Sequence, residues 1–134
     1  MASVNVELVR SLYADWERGD FSESDWAHPE VEFVFADGPE GGSWTGVAGM
    51  ARGAREGLRA WEGYRVQADE YRELDAERVL VFVHRRGRGR TSGIDIAQVG
   101  AEGAHIFHLR DGKVTRLVAY VDRARALADL GLSE

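Results

Sequence analysis

Four histidines and no cysteine limit the chemistry open to this chain. Disulfides and thiolate metal sites are excluded. His28, His84, His105 and His108 show no ligand spacing such as His-Glu-x-x-His, so neither a metal nor another cofactor is expected. His105 stands in an alternating run, in which His105, Phe107 and Leu109 share one face of a strand over 103–110. An imidazole there could act as an acid or as a hydrogen-bond donor to a ligand. The same position equally suits a core histidine bonded to a neighbour. Asp37 follows a strand bearing Phe33 and Phe35, a setting that favours a carboxylate working as a base near neutral pH, although Asp-Gly-Pro is also an ordinary turn. Asp95 lies among apolar residues and reads either as a pocket carboxylate or as the partner of a cross-strand arginine. Tyr120 could put its hydroxyl into a pocket or pack as an aromatic. Trp16, Trp44 and Trp61 read as pocket wall or core, and they favour a flat, apolar or aromatic ligand. A Gly-x-Ser-x-Gly elbow and a phosphate loop are both missing. The basic run Arg85-Arg86-Gly87-Arg88-Gly89-Arg90 reads as a solvated hairpin, with an anion or partner patch as the alternative.

These residues must be positioned by elements of two periods. Val9, Leu12, Tyr13 and Trp16 fall on one face of a helix over residues 4–18, with Ser3 as cap and Gly19-Asp20 as stop. A short helix over 23–27 ends at His28-Pro29. Residues 31–36 alternate as a strand, and 37–42 form a turn-rich loop. A longer helix is expected over 47–61, its apolar stripe running from Val47 to Trp61. Gly49, Gly53 and Gly57 recur every fourth residue within it, and predict a smooth face approached closely by the sheet or by a partner. Strands follow at 64–73, 78–86, 92–100, 103–110 and 113–121, with turns at Gly87-Arg88-Gly89, Glu102-Gly103 and, most sharply, Asp111-Gly112. A last helix spans 122–130, capped by Asp122. Helices first and an antiparallel meander after them mean an α+β fold. A strongly curved sheet with helices across its open face would enclose one cavity.

The 134 residues suit one domain over 1–134, large enough to need no staples. The formal charge of −6 argues against nucleic acid as a partner, since phosphate contacts need clustered cations. No stretch is apolar enough for a membrane span, and the first residues do not read as a signal peptide, so a cytoplasmic protein is expected.

The segments Leu8–Asp20, His28–Glu32, Ser43–Gly49, Gly103–Val114, Tyr120–Arg123 and Ala126–Leu132 together resemble the SnoaL-like branch of the nuclear transport factor 2-like superfamily. That resemblance implies a cone-shaped, mostly antiparallel sheet wrapped around N-terminal helices, a homodimer, and a pocket for a small hydrophobic molecule. The superfamily holds polyketide cyclases, ketosteroid isomerases and non-catalytic binding domains, so the fold does not fix the chemistry. Matching Ile106-Phe107-His108-Leu109 to the isomerase relatives puts His105 where they carry a carboxylic acid that hydrogen-bonds the substrate oxygen. Asp37, nine residues before Gly46, matches the spacing of their catalytic aspartate. Their helix-one tyrosine position is filled by Leu12, with Tyr13 one residue later. The implied site has His105 as hydrogen-bond donor, Asp37 or Asp95 as base, and Tyr13, Trp16, Phe33, Phe35, Trp44, Trp61, Phe107, Leu109 and Tyr120 as lining. Three functions compete: a cyclase or isomerase, a binding module without chemistry, and a dimerising interaction domain.

Overall fold

The computed structural model describes residues 4–18, 25–36, 42–59, 61–96 and 102–132. Among them are three helices, α1 (Val4–Glu17), α2 (Gly46–Leu58) and α3 (Arg123–Asp129). Six strands run β1 (Ala27–Phe35), β2 (Gly42–Thr45), β3 (Trp61–Asp75), β4 (Arg78–Gly89), β5 (Glu102–Arg110) and β6 (Lys113–Tyr120). They form one curved sheet in the order β2-β1-β6-β5-β4-β3, open at its ends and antiparallel except where β1 meets β6. The expected α+β cone is the fold observed.

Strand alternation sorts the core into two layers. Val79, Val81, Val83, Phe107, Leu109, Leu117 and Ala119 point to the concave side, where Val9, Leu12, Tyr13 and Trp16 of α1 meet them. Leu80, Phe82, Ala104, Ile106, Val118 and Tyr120 point to the convex side, under Ala126 and Leu127 of α3. Large apolar residues therefore do face outward, as a dimer surface would require, but the chain's own last helix packs on them. The α3 helix is held at its start by Asp122, whose carboxylate accepts from the Ala124 amide.

The Asp111-Gly112 turn forms as expected, with φ of 53° and 76° at its two residues, the mirror-image geometry that joins tightly twisted strands. The glycine stripe of α2 is also explained. Trp44 of β2 lies on it, and a Cβ at Gly53 would fall 2.5 Å from Cδ2 of the indole.

Several boundaries differ from the sequence reading. Helix α2 ends at Leu58, and Trp61 opens β3 opposite Gly89, so a helical spacing that reached Trp61 ran past the point where cross-strand pairing takes over. Residues 25–26 are a turn and Ala27 starts β1; the rest of the expected short helix lies outside the described residues. Pro29 is tolerated in β1 because the ladder to β6 is interrupted between Ala27 and Glu32, where no amide is needed. Arg88 and Gly89 belong to β4, paired with Glu62 and Trp61, and the chain turns at 90–92 instead. Glu102 and Gly103 open β5 rather than turning. In place of a strand from residue 92, Asp95 makes an isolated bridge to Arg88. No helix among the described residues is long and apolar enough to cross a membrane.

Candidate functional site

The concave face brings aromatic residues of α1 and β5 together around one histidine. His105 is paired through its backbone with Val81 and Ala119 at the centre of the sheet. Its ring stacks on Tyr13 with centroids 5.9 Å apart and meets Trp16 and Phe107 edge-on at 6.2 and 6.3 Å. The Tyr13 hydroxyl and His105 Nδ1 share a hydrogen bond of 2.5 Å across 92 positions of sequence. Tyr13 is fixed by further edge contacts to Trp16, Tyr71 and Phe107. The hydroxyl therefore reaches the site from Tyr13, the residue next to Leu12, because one step along a helix turns a side chain by about 100°.

Burial controls the electrostatics here. Desolvation lowers the His105 pKa from 6.5 to about 3, assisted by the positive charge of Arg85. The ring is thus neutral at neutral pH, which suits hydrogen bonding better than delivery of a proton. The Tyr13 hydroxyl is pushed well above its usual range by burial, then by neighbouring Tyr71, Tyr64 and Glu17, and stays protonated. When that hydroxyl donates to Nδ1, the imidazole proton resides on Nε2, which is left as a donor.

The lining falls into two groups. Tyr13, Trp16, Phe33, Phe107 and Leu109 are buried members of the concave cluster, and Phe35 and Trp44 pack on it half-buried. Phe33, Phe35 and Trp44 form a separate aromatic corner, with centroids 4.8, 6.1 and 5.7 Å apart. Trp61 lies outside the cluster, at the start of β3 beside Gly87. Tyr120 is also misplaced by the sequence reading: it points to the convex side, where its hydroxyl donates to Asp129 Oδ2 at 2.7 Å. Alternation decides this, since Ala119 takes the concave position opposite His105. Asp95 is exposed beyond the end of β4 and is no pocket carboxylate, because the bridge to Arg88 keeps it on the hairpin. Asp37 lies outside the described residues.

Two residues escaped the sequence reading. Arg85 continues the inward series Val79, Val81, Val83, and its guanidinium donates to the hydroxyl of Tyr64, another residue packed on the concave cluster. Reading the alternation through the end of the valine run would have separated Arg85 from the solvated arginines after it. Among the described residues no group of three or more histidine or acidic side chains is placed to hold a metal.

Among curated proteins, none matches the chain in sequence. Similar solved structures include TerC co-crystallized with polyporic acid, 28% identical with a TM-score of 0.73, covering 96% of this chain and 98% of that one. A nuclear transport factor 2-like protein from Burkholderia thailandensis is 20% identical with a TM-score of 0.74, over 97% and 98% of the two chains. A putative SnoaL-like polyketide cyclase from Jannaschia is 16% identical with a TM-score of 0.71, over 98% and 94%. The model of the SnoaL-like domain matches residues 9–117, and the chain belongs to that family.

Proposed function

We propose that the concave face binds a flat, hydrophobic carbonyl compound, with the carbonyl oxygen held by the Tyr13–His105 pair. The observation that carries this reading is the 2.5 Å hydrogen bond between two protonation-locked groups inside an aromatic wall. A neutral imidazole and a neutral phenol cost little to desolvate together and can still turn a donor toward an oxygen. That TerC was crystallised with polyporic acid supports an organic ligand on this fold. The reaction we assign is proton transfer next to the carbonyl, of the isomerase or cyclase kind, with Asp37 as base and His105 as hydrogen-bond donor to the developing enolate. No metal or organic cofactor takes part in this proposal.

A second reading rests on the same bond. Tyr13 and His105 already satisfy each other, which is sufficient for a module that binds its ligand without chemistry.

Titration with beta-tetralone, followed by tryptophan fluorescence and by solvent deuterium uptake at its carbon next to the carbonyl, tests both. Binding with uptake that Asp37→Asn abolishes supports the enzyme. Binding without uptake supports the module. Unchanged affinity in Tyr13→Phe and His105→Phe would remove the pair from either.

A further inference from the structure

Charge is distributed unevenly over this chain. Residues 46–68 and 84–96 carry eight arginines against three acids, a formal +5, which leaves −11 on the rest of a chain whose total is −6. The fold gathers those two segments at one end of the molecule. Helix α2 leads almost directly into β3, whose first residue, Trp61, pairs with Gly89 of β4. Arg90 Nε donates to the Arg59 carbonyl at 3.1 Å and ties the turn after β4 to the end of α2. Arg52, Arg55 and the capping Arg59 follow one another at three and four residues, so they share one face of the helix, and all are exposed. Arg65 of β3 stands directly opposite Arg86 of β4, both exposed. Like charges so placed destabilise a strand pair, so they do not serve to hold the hairpin together. Among the described residues these five arginines are in no ion pair, although eight others are. Glu56, the only acid of α2, pairs with none of them. Ile94, one of three large apolar side chains left exposed among the described residues, sits in the adjoining turn, where its carbonyl accepts from the Gly89 amide at 2.8 Å.

We propose that this end of the molecule docks a short acidic helical segment of a partner protein, with its carboxylates on Arg52, Arg55 and Arg59 and an apolar side chain against Ile94. Charge complementarity carries the choice of occupant. Guanidinium forks match carboxylates, and a helix bearing acids at three- and four-residue spacing presents them in the same row as the arginines. The separation of +5 from −11 orients an acidic partner as it approaches. A long polyanion such as duplex DNA would run past the positive end onto surface that repels it. A two-fold contact between copies of this chain would set arginine against arginine, so a second copy does not fit here. The surface is independent of the reading of the concave face.

Two fluorescein-labelled alanine-rich helical peptides test this, each with one leucine, the first bearing glutamates at three- and four-residue spacing and the second glutamines at the same positions. Fluorescence anisotropy reads their affinities for the whole protein. At low salt the wild type is expected to bind the glutamate peptide at least roughly tenfold more tightly than the glutamine peptide, and to lose the preference at high salt. The combined variant Arg52→Gln, Arg55→Gln, Arg59→Gln is expected to remove the preference with its melting temperature unchanged. Arg110→Gln, outside the positive segments, is expected to keep it. Equal affinity for both peptides, or binding of neither, overturns the proposal. An equal loss in Arg110→Gln overturns the localisation to this end. Tighter binding of phosphatidylserine vesicles or duplex DNA than of the glutamate peptide overturns the protein partner, and low-salt self-association that the combined variant abolishes assigns the surface to a second copy instead. The comparison of peptides on the wild type decides even if the variants do not fold.

Discussion

The low basicity of His105 makes a measurable demand on the pH dependence of folding. In the unfolded chain this imidazole protonates near its ordinary 6.5, whereas in the folded protein burial and Arg85 hold its pKa to about 3. Between those values the unfolded state binds a proton that the folded state refuses. The contribution is therefore fully present above pH 6.5 and is lost as pH falls toward the folded value, at about 1.4 kcal/mol per unit. Going from about pH 7 to about pH 4.5 the loss is about 2.5 kcal/mol, a large share of the ~5–15 kcal/mol that holds an ordinary domain together. Carboxylates also titrate over this range, so the informative quantity is a difference. His105→Phe keeps an aromatic ring in the slot between Tyr13, Trp16 and Phe107 and removes the titrating group. It leaves the Tyr13 hydroxyl without its partner, a cost of about 1 kcal/mol that does not vary with pH over this range. His108, whose pKa is also lowered by partial burial, is present in both proteins and cancels. Urea unfolding of both proteins at the two pH values should show the wild type losing about 2.5 kcal/mol more than the variant. Equal losses would falsify the assignment of His105 as a buried, proton-poor ring, and with it the electrostatic basis of the site.

Four further outcomes are expected. Gly103→Ala places a Cβ 2.4 Å from the Tyr120 carbonyl oxygen, a backbone atom that cannot step aside, and thermal unfolding should register a loss of about 3 kcal/mol. Tyr120→Phe deletes the hydrogen bond to Asp129 on the convex side and should cost about 1 kcal/mol without changing the affinity for beta-tetralone. Chelation with EDTA should leave both the melting temperature and ligand affinity unchanged, which calorimetry with and without the chelator checks. Sedimentation at micromolar concentration should give twice the 14.9 kDa chain mass, and a single-chain mass would overturn the homodimer that the family resemblance implies.

The architecture was legible because its strongest signals are local. The apolar face of α1, the valine run of β4 and the Asp111-Gly112 turn each state their conformation within a few residues. The errors occur where a distant partner decides. A helical spacing carried to Trp61 cannot reveal that this residue pairs with Gly89, and the glycines after Arg86 look like a turn until β3 is seen to extend alongside them. Pro29 looks like a breaker until the gap in the ladder to β6 is known. The glycine stripe was legible as a close approach, but only the short strand β2 identifies Trp44 as what approaches.

The site was legible on one strand and misread across strands, for a geometric reason. Period-two alternation fixes relative facing within β5, so His105, Phe107 and Leu109 were correctly grouped. It does not say which face of β6 meets them, and placing Tyr120 rather than Ala119 beside His105 is an error of one residue that inverts the side of the sheet. The same arithmetic recovers Arg85, whose parity with Val83 puts it on the concave side while Arg86 alternates outward. The partner of His105 lies 92 positions away, and no spacing rule connects them. The consequence is chemical. A histidine judged by its free basicity invites a proton-transfer role, whereas the ring packed against Tyr13 and facing the charge of Arg85 stays neutral over the physiological range. In the proposed proton transfer the base is a carboxylate, and the neutral His105 serves as a donor to oxygen rather than as an acid. That division of labour makes Asp37→Asn and His105→Phe separable in the deuterium-uptake assay: the first should stop exchange and keep binding, and the second should weaken both.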